Sequence, residues 1–385
     1  MTSETPDTKD LFLSFLRLGM TAFGGPAMTA HIRDLAVARR KWLGEAEFRD
    51  GIALCQSIPG ATAMQSAAYV GLKVRGISGA LATYIGFSLP AFFAMLALSA
   101  LFVQFRSSGA AISLFNGLQV IVVAITFHAV HSFGRGVKRD PVIWSFVLAA
   151  AALFWSGVSP FLVIVLSAVA GIVFLKTAAP PGPGDYFKKD RLVHQGFWTL
   201  LIFVIAAIIV ILIADRELFD LASVMLQVDA FAFGGGFASI PLMLEKVVHV
   251  HGWMNYRTFM DGIALGQVTP GPIVITATFV GYIFKGVAGA VVATMAIFTP
   301  SFLVLVAVEP FFERLRNSPR FIKAVDGVFA SFVGLLLFVG IRFFLDVPWD
   351  AVRAVMGVAA LAALIKKIDI LYIVPAGAAV SLFLL

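Results

Sequence analysis

The sequence predicts an all-α polytopic membrane protein made of two inverted-topology repeats that an odd central helix joins. Three observations predict this fold. Of the 385 residues, 60% are hydrophobic and only 13% are charged, whereas soluble globular chains carry roughly 25% charged residues. The mean hydropathy is +0.94. The apolar segments are long and continuous, as in membrane helices, whereas a transmembrane barrel has short alternating ones.

The apolar segments form two groups of six, separated by a linker rich in Pro, Gly and charge and by an isolated apolar run at 196–214. The first group lies at about 11–30, 51–72, 77–103, 109–132, 142–158 and 159–175, and the second at about 218–243, 260–283, 287–308, 324–344, 350–366 and 369–385. We therefore predict a first repeat over 1–175, a linker with the central helix over 176–217, and a second repeat over 218–385.

The second group repeats the first. FGG at 23–25 recurs as FGG at 233–235, which is 210 positions later, and FRDGIALCQSIPG at 48–60 recurs as FMDGIALGQVTPG at 259–271, which is 211 positions later. Glycines, prolines and polar residues match as well as the hydrophobic pattern does. If the run at 196–214 crosses the membrane once, the second repeat starts on the opposite side, as in many secondary transporters.

The basic residues test two topologies for the broken segments. With thirteen crossings, the Lys and Arg residues of the loops divide 18 to 8 between the two sides of the membrane. If the first two segments of each repeat instead enter and leave on the same side, the Lys and Arg residues of the loops divide 21 to 5. The charge distribution and the polar residues of 51–72 favour the re-entrant arrangement, because a broken segment must be buried in protein or line a cavity.

The Gly and Pro breaks are candidates for an anion site. A helix that begins after a break inside the membrane places its N–H groups and positive dipole end at mid-membrane, where they can hold an anion without a permanent charge. Each half has one GG and one PG break, and the breaks also permit close helix packing. Gln56 and Gln267 precede the PG breaks by three residues and offer amide donors. The predicted substrate-binding residues are Gly24, Gly25, Gln56, Ser57, Pro59, Gly60, Gly234, Gly235, Gln267, Thr269, Pro270 and Gly271.

Among the ionisable residues within the apolar segments, where charge is costly and usually functional, Asp229 and Arg17 are the two candidates for the site. Asp229 precedes the second FGG motif by four residues, and its counterpart by offset is Gly19. It is the first candidate for a proton-carrying carboxylate. Arg17 is predicted to meet the anion, to neutralise Asp229, or to extend to the membrane interface.

FGGP at 23–26, WL at 42–43 and GIALCQSIPGA at 51–61 resemble the first half of the chromate transporter family, and FGGG at 233–236 with GIALGQVTPGP at 262–272 resembles its second half. The resemblance covers nearly the whole chain and implies export of chromate across the bacterial inner membrane, coupled to protons. The first half departs from the pattern at Ala61, where the second half has Pro272.

The residues leave other functions open. Sulfate or another tetrahedral oxyanion fits the same donors, and a passive anion channel is a further alternative. We find no P-loop, no GxSxG motif and no His/Cys cluster, so the sequence predicts neither an enzyme nor a cofactor or metal. The net charge of +7 is typical of cytoplasmic loops and predicts no nucleic-acid partner. The expected partners are the oxyanion, protons and the bilayer, and the chain acts as a monomer or a homodimer.

Overall fold

The computed structural model describes residues 6–23, 25–137, 141–176 and 191–384, and the regular elements within these ranges are helices. The first half contains α1 (Thr8–Thr21), α2 (Gly25–Arg33), α3 (Glu45–Ser57), α4 (Thr62–Phe105), α5 (Gly109–Gly136), α6 (Pro141–Trp155) and α7 (Pro160–Phe174). Of the predicted linker, residues 177–190 lie outside the described residues. The remaining helices are α8 (Arg191–Ala214), α9 (Arg216–Ala230), α10 (Gly236–Leu244), α11 (Tyr256–Val268), α12 (Thr276–Val308), α13 (Phe312–Arg316), α14 (Pro319–Asp346), α15 (Ala351–Ile365) and α16 (Ile370–Leu384).

Helices α4 and α12 each fold back on themselves. At the bend of α4, Gly76 has a φ of +63°, and a Cβ on Gly71 would lie only 2.2 Å from the carbonyl oxygen of Gly79. In a straight helix, residues eight positions apart are about 12 Å apart along the axis. The bend therefore divides α4 into a short limb, 62–74, and a long limb, 77–105.

Helix α12 bends in the same way at the matching position. Gly286 has a φ of +59°, and a Cβ on Gly281 would lie 2.2 Å from the carbonyl oxygen of Gly289. The short limb is 276–284 and the long limb is 287–308. Length and composition alone assign the whole of α4 to one membrane span, but the backbone divides it at the bend into two limbs.

The broken segments fold as hairpins. Helix α3 runs back along the short limb of α4, where the Tyr69 hydroxyl donates to the carbonyl oxygen of Glu47 at 3.3 Å. The chain after α1 likewise returns beside it, since the rings of Phe15 and Trp42 stack with centroids 6.5 Å apart and Arg40 bonds Ser14 at 3.3 Å. Of the two topologies left open by the sequence, these hairpins fit the re-entrant one.

The two repeats are inverted, as predicted. The long limbs of α4 and α12 pack antiparallel: the Tyr84 hydroxyl donates to the carbonyl oxygen of Phe298 at 2.7 Å, and Lys73 beside the α4 bend forms a salt bridge with Glu309 at the end of α12. Because these limbs occupy matching places in the two halves, the halves have opposite directions. Residues 196–214 of α8 form a 19-residue apolar stretch with none of it buried, long enough to cross about 28 Å of membrane.

Matched charge pairs attach each bend to the start of its own repeat. Arg75 lies 3.7 Å from Asp7, the N-cap of α1. Lys285 lies 2.8 Å from Asp215, the N-cap of α9. The hydrogen bond from Lys285 holds the pKa of Asp215 below its ordinary value. Each bend and the start of its repeat therefore lie on the same side of the membrane, and the two bends lie on opposite sides.

Candidate functional site

The breaks of the two halves meet in the middle of the molecule. The Gly60 N–H, in the PG break of the first half, donates to the carbonyl oxygen of Ala232 beside the GG break of the second half at 3.0 Å. The Gly271 N–H, in the PG break of the second half, donates to the carbonyl oxygen of Ala22 at 2.9 Å. Each PG break thus crosses to the GG break of the other half, and we call these two contacts the first and second crossing.

The glycines of the breaks have backbone angles that other residues rarely adopt. The φ angles are +117° at Gly60, +99° at Gly271, +100° at Gly234 and +90° at Gly235. Gly24 lies outside the described residues, and Gly25 begins α2. Pro59 and Pro270 come directly before the first two of these glycines and end the helical geometry at each break.

Helix N-termini converge at the crossings. A Cβ on Gly235 would lie 3.1 Å from Thr62 Oγ1, at the start of α4, and a Cβ on Gly236, at the start of α10, would lie 3.0 Å from Val274 beside the start of α12. The first N–H groups of a helix have no partner within the helix. Several helix starts therefore lie within a few ångströms of one another at the crossings, with some of their N–H groups, such as those of Gly60 and Gly271, donating to the other half.

Asp229 is fully buried at the first crossing. Its Oδ2 accepts hydrogen bonds from the backbone N–H of Ser301 at 2.7 Å and from the Ser301 hydroxyl at 2.6 Å. Its Oδ1 is buried and has no hydrogen-bond partner within the described part of the chain. The Ser301 Oγ in turn accepts from the Ala61 N–H at 3.0 Å. A buried carboxyl group with one free oxygen is costly, which is typical of a functional group in a membrane protein.

The predicted glutamines have different environments. Gln56 is exposed, whereas Gln267 is partly buried and its Nε2 has no partner among the described residues. The hydroxyls of Ser57 and Thr269 bond carbonyls of their own helices, those of Ala53 and Gly266, at 2.7 and 3.0 Å. Gln267 is therefore the predicted side chain with an amide donor still available.

Gln65 is a buried polar residue that sequence reasoning did not select. Its Nε2 donates to the carbonyl oxygens of Pro59 at 2.6 Å and Ser301 at 3.3 Å, so it stabilises the first crossing. Its position among the polar residues of 51–72 is the signal that could have pointed to it. The structure does not bring Arg17 and Asp229 together as a pair, because Arg17 is exposed and Asp229 bonds Ser301.

A cavity of about 470 Å³ opens beside the PG break of the first half. Arg49, Asp50, Ser57, Arg316 and Asp326 supply its polar lining. Arg316 of the second half bonds Asp50 of the first half at 3.1 Å. The cavity connects basic side chains with the end of α3, one turn or less from Pro59.

Comparisons with known proteins give a consistent result. The family model described as chromate transporter matches residues 9–172 and again residues 219–382. A protein of Methanocaldococcus jannaschii named as an uncharacterized transporter is 40% identical, over 96% of this chain and 92% of its own length. Proteins named chromate transport protein are 31% identical in Cupriavidus metallidurans, over 94% of this chain and 89% of the relative, and in Pseudomonas aeruginosa, over 85% and 78%. No solved structure matches this chain significantly.

Proposed function

Because this chain belongs to the chromate transporter family, we propose that it is a secondary transporter that exports chromate from the cytoplasm across the bacterial inner membrane, coupled to protons. The family consists of transporters and not of enzymes. The observation that carries the proposal is the convergence of helix N-termini at the two crossings. A tetrahedral dianion needs several donors around it, and helix starts supply them without a permanent positive charge in the membrane.

The liposome experiment tests this function directly. Purified protein in liposomes receives an imposed pH gradient, chromate flux is measured, and sulfate is added as a competitor. We expect flux that saturates with chromate and follows the pH gradient. If added sulfate inhibits the chromate flux more strongly than added unlabelled chromate does, the substrate is reassigned to sulfate. Flux without saturation would indicate a passive channel, and no flux of either anion in folded protein would refute the proposed function.

Gln267 is proposed to donate its free amide to the anion. Replacing Gln267 with alanine is expected to raise KM for chromate by roughly 10- to 100-fold, because a hydrogen bond to a charged group contributes about 1.5–3 kcal/mol. Initial rates of uptake into liposomes measure this change. Gln56→Ala is the matched control: it occupies the same place in the other repeat but is exposed, and its KM should stay near the wild-type value. An unchanged KM in Gln267→Ala would remove this residue from the site.

The cavity at Arg49 is proposed as the entry for the anion from the side of the amino-terminal hairpins. Arg49→Gln is expected to raise KM about threefold with little change in kcat, since it removes one screened charge near a dianion. The effect should shrink at high ionic strength. Lys41→Gln removes an exposed charge outside the cavity lining and serves as the control. Equal effects of both substitutions would argue against a localised entry.

A further inference from the structure

The first crossing contains a chain of hydrogen bonds that its counterpart lacks. We propose that Ser301 is a positioning residue of a latch, in which it ties Ala61 in the PG break of the first half to Asp229, and that either a proton on Asp229 or an oxyanion at Ala61 releases the latch. This inference rests on the proposed proton-coupled transport and adds how the two ligands act on one structural element.

The direction of each hydrogen bond defines the latch. The Ser301 hydroxyl has one proton and donates it to Asp229 Oδ2, so its lone pairs remain for the Ala61 N–H. The backbone N–H of Ser301 donates to the same carboxylate oxygen. Both bonds to Asp229 are charge-assisted while the carboxylate is ionised, and such bonds are roughly twice as strong as neutral ones.

Protonation weakens the latch at one end. The unpartnered Oδ1 of Asp229 is the atom that can accept the proton without breaking a bond, and Oδ2 is then a neutral carbonyl oxygen. The Ser301 hydroxyl loses its charged acceptor and becomes free to rotate. The Ala61 N–H no longer faces a fixed lone pair, so the PG break of the first half is released.

An oxyanion releases the latch at the other end. The Ala61 N–H lies at the start of α4, where an anion is favoured by the helix dipole. A bound dianion is a stronger acceptor than a hydroxyl oxygen and takes this donor from Ser301. With neither ligand present, the latch stays closed, and the empty protein is held in one conformation. A carrier that moves only when a ligand is bound exchanges its ligands rather than leaking.

The second crossing supports the latch because it lacks all three groups that form it: the carboxylate, the hydroxyl and the backbone N–H. By the repeat offsets, Gly19 stands in place of Asp229, Ala91 in place of Ser301, and Pro272, which has no N–H, in place of Ala61. The geometry is otherwise matched: a Cβ on Gly60 would meet Ser301, and a Cβ on Gly271 would meet Ala91. Packing alone therefore does not require the three polar groups.

Other ionisable groups near Asp229 do not replace it as the titrating group. Tyr84 faces Asp229 from α4, but a phenol is protonated near neutral pH. The ionisable residues of α12 are Tyr282 and Lys285, and both lie at its bend. Neither α10 nor residues 196–214 of α8 contain an ionisable side chain.

The test compares Ser301→Ala with Ser99→Ala in liposomes. For Ser301→Ala we expect downhill chromate flux to persist while the pH gradient no longer drives chromate accumulation, because the empty carrier is no longer locked. Asp229→Asn should behave in the same way, and the double variant should show no additional loss, since both substitutions open one latch. Ser99→Ala removes a buried hydroxyl that bonds only the carbonyl oxygen of Met95 in its own helix, outside both crossings, and should keep full coupling.

The outcomes separate the latch from the proposed function. If pH-driven accumulation in Ser301→Ala equals that of wild type, the latch is overturned. It is also overturned if folded Ser301→Ala loses downhill and pH-driven flux in parallel, because that is the result expected for a purely structural residue. If Ser301→Ala does not fold, coupled transport in Asp229→Asn would overturn the latch as well. Wild-type protein without any chromate flux would instead refute the proposed function.

Discussion

Gly271→Leu is expected to abolish chromate transport, with the loss in the site rather than in membrane insertion. Gly271 has a φ of +99°, and a Cβ at this position would lie 2.7 Å from the Cβ of Ala91. A side chain would have to move α4 and would break the hydrogen bond from the Gly271 N–H to Ala22. The backbone strain alone costs about 1–2 kcal/mol, and the displaced crossing would separate the helix starts that we propose as the anion site.

The measurement is liposome flux together with size-exclusion chromatography, which reports whether the variant is folded and monodisperse. Gly252→Leu is the control, because Gly252 also has a positive φ, +60°, but no neighbouring atom within 4 Å of an added Cβ. We expect that variant to transport at near wild-type rates. Substantial transport by Gly271→Leu would show that the second crossing is not needed for the function.

Asp229→Asn is expected to remove the ability of a pH gradient to accumulate chromate. The amide is similar in size to the carboxyl group but neither ionises nor carries a proton across the membrane. If one proton is exchanged for each chromate, as we propose, and the membrane potential is held at zero, wild-type protein should sustain about a tenfold chromate gradient for each unit of pH difference, and the variant should sustain none. Chromate inside and outside the liposomes at steady state gives this ratio.

Asp261→Asn is a suitable control for a buried carboxyl group outside the crossings. Asp261 is also buried, and it accepts a hydrogen bond from Gln119 at 2.7 Å. If coupling survives in Asp229→Asn and disappears in Asp261→Asn, the proton site must be moved to Asp261.

The sequence predicted the architecture because the signals for it, the repeated motifs and the basic loops, occur along the whole chain. The inverted repeat followed from matched glycines and prolines, and the re-entrant hairpins were favoured by the basic residues of 31–50, which needed to lie on the cytoplasmic side. The predicted segment boundaries at 72–77 and 283–287 coincide with the bends inside α4 and α12, and the structure adds that Gly76 and Gly286 form these bends with positive φ angles.

The site was harder to predict because its contacts join residues that are far apart in the sequence. Ser301 follows Pro300 in an ordinary apolar segment, and only the antiparallel packing of the long limbs brings it to Asp229 and Ala61. Repetition suggested that Gln56 and Gln267 are equivalent, yet one is exposed and the other partly buried. A repeat predicts shared backbone geometry, whereas the environment of a side chain also depends on the partner half.

The two crossings also restrict how such a protein could have been assembled from smaller ones. Each crossing takes its donor from one half and its acceptor from the other, so a polypeptide with a single half would contain neither. Two separate halves could rebuild the centre only if they inserted into the bilayer in opposite orientations. In the fused chain, α8 spans the membrane between the two halves and so gives them opposite orientations in every molecule. Correct assembly then no longer depends on equal amounts of two oppositely inserted proteins.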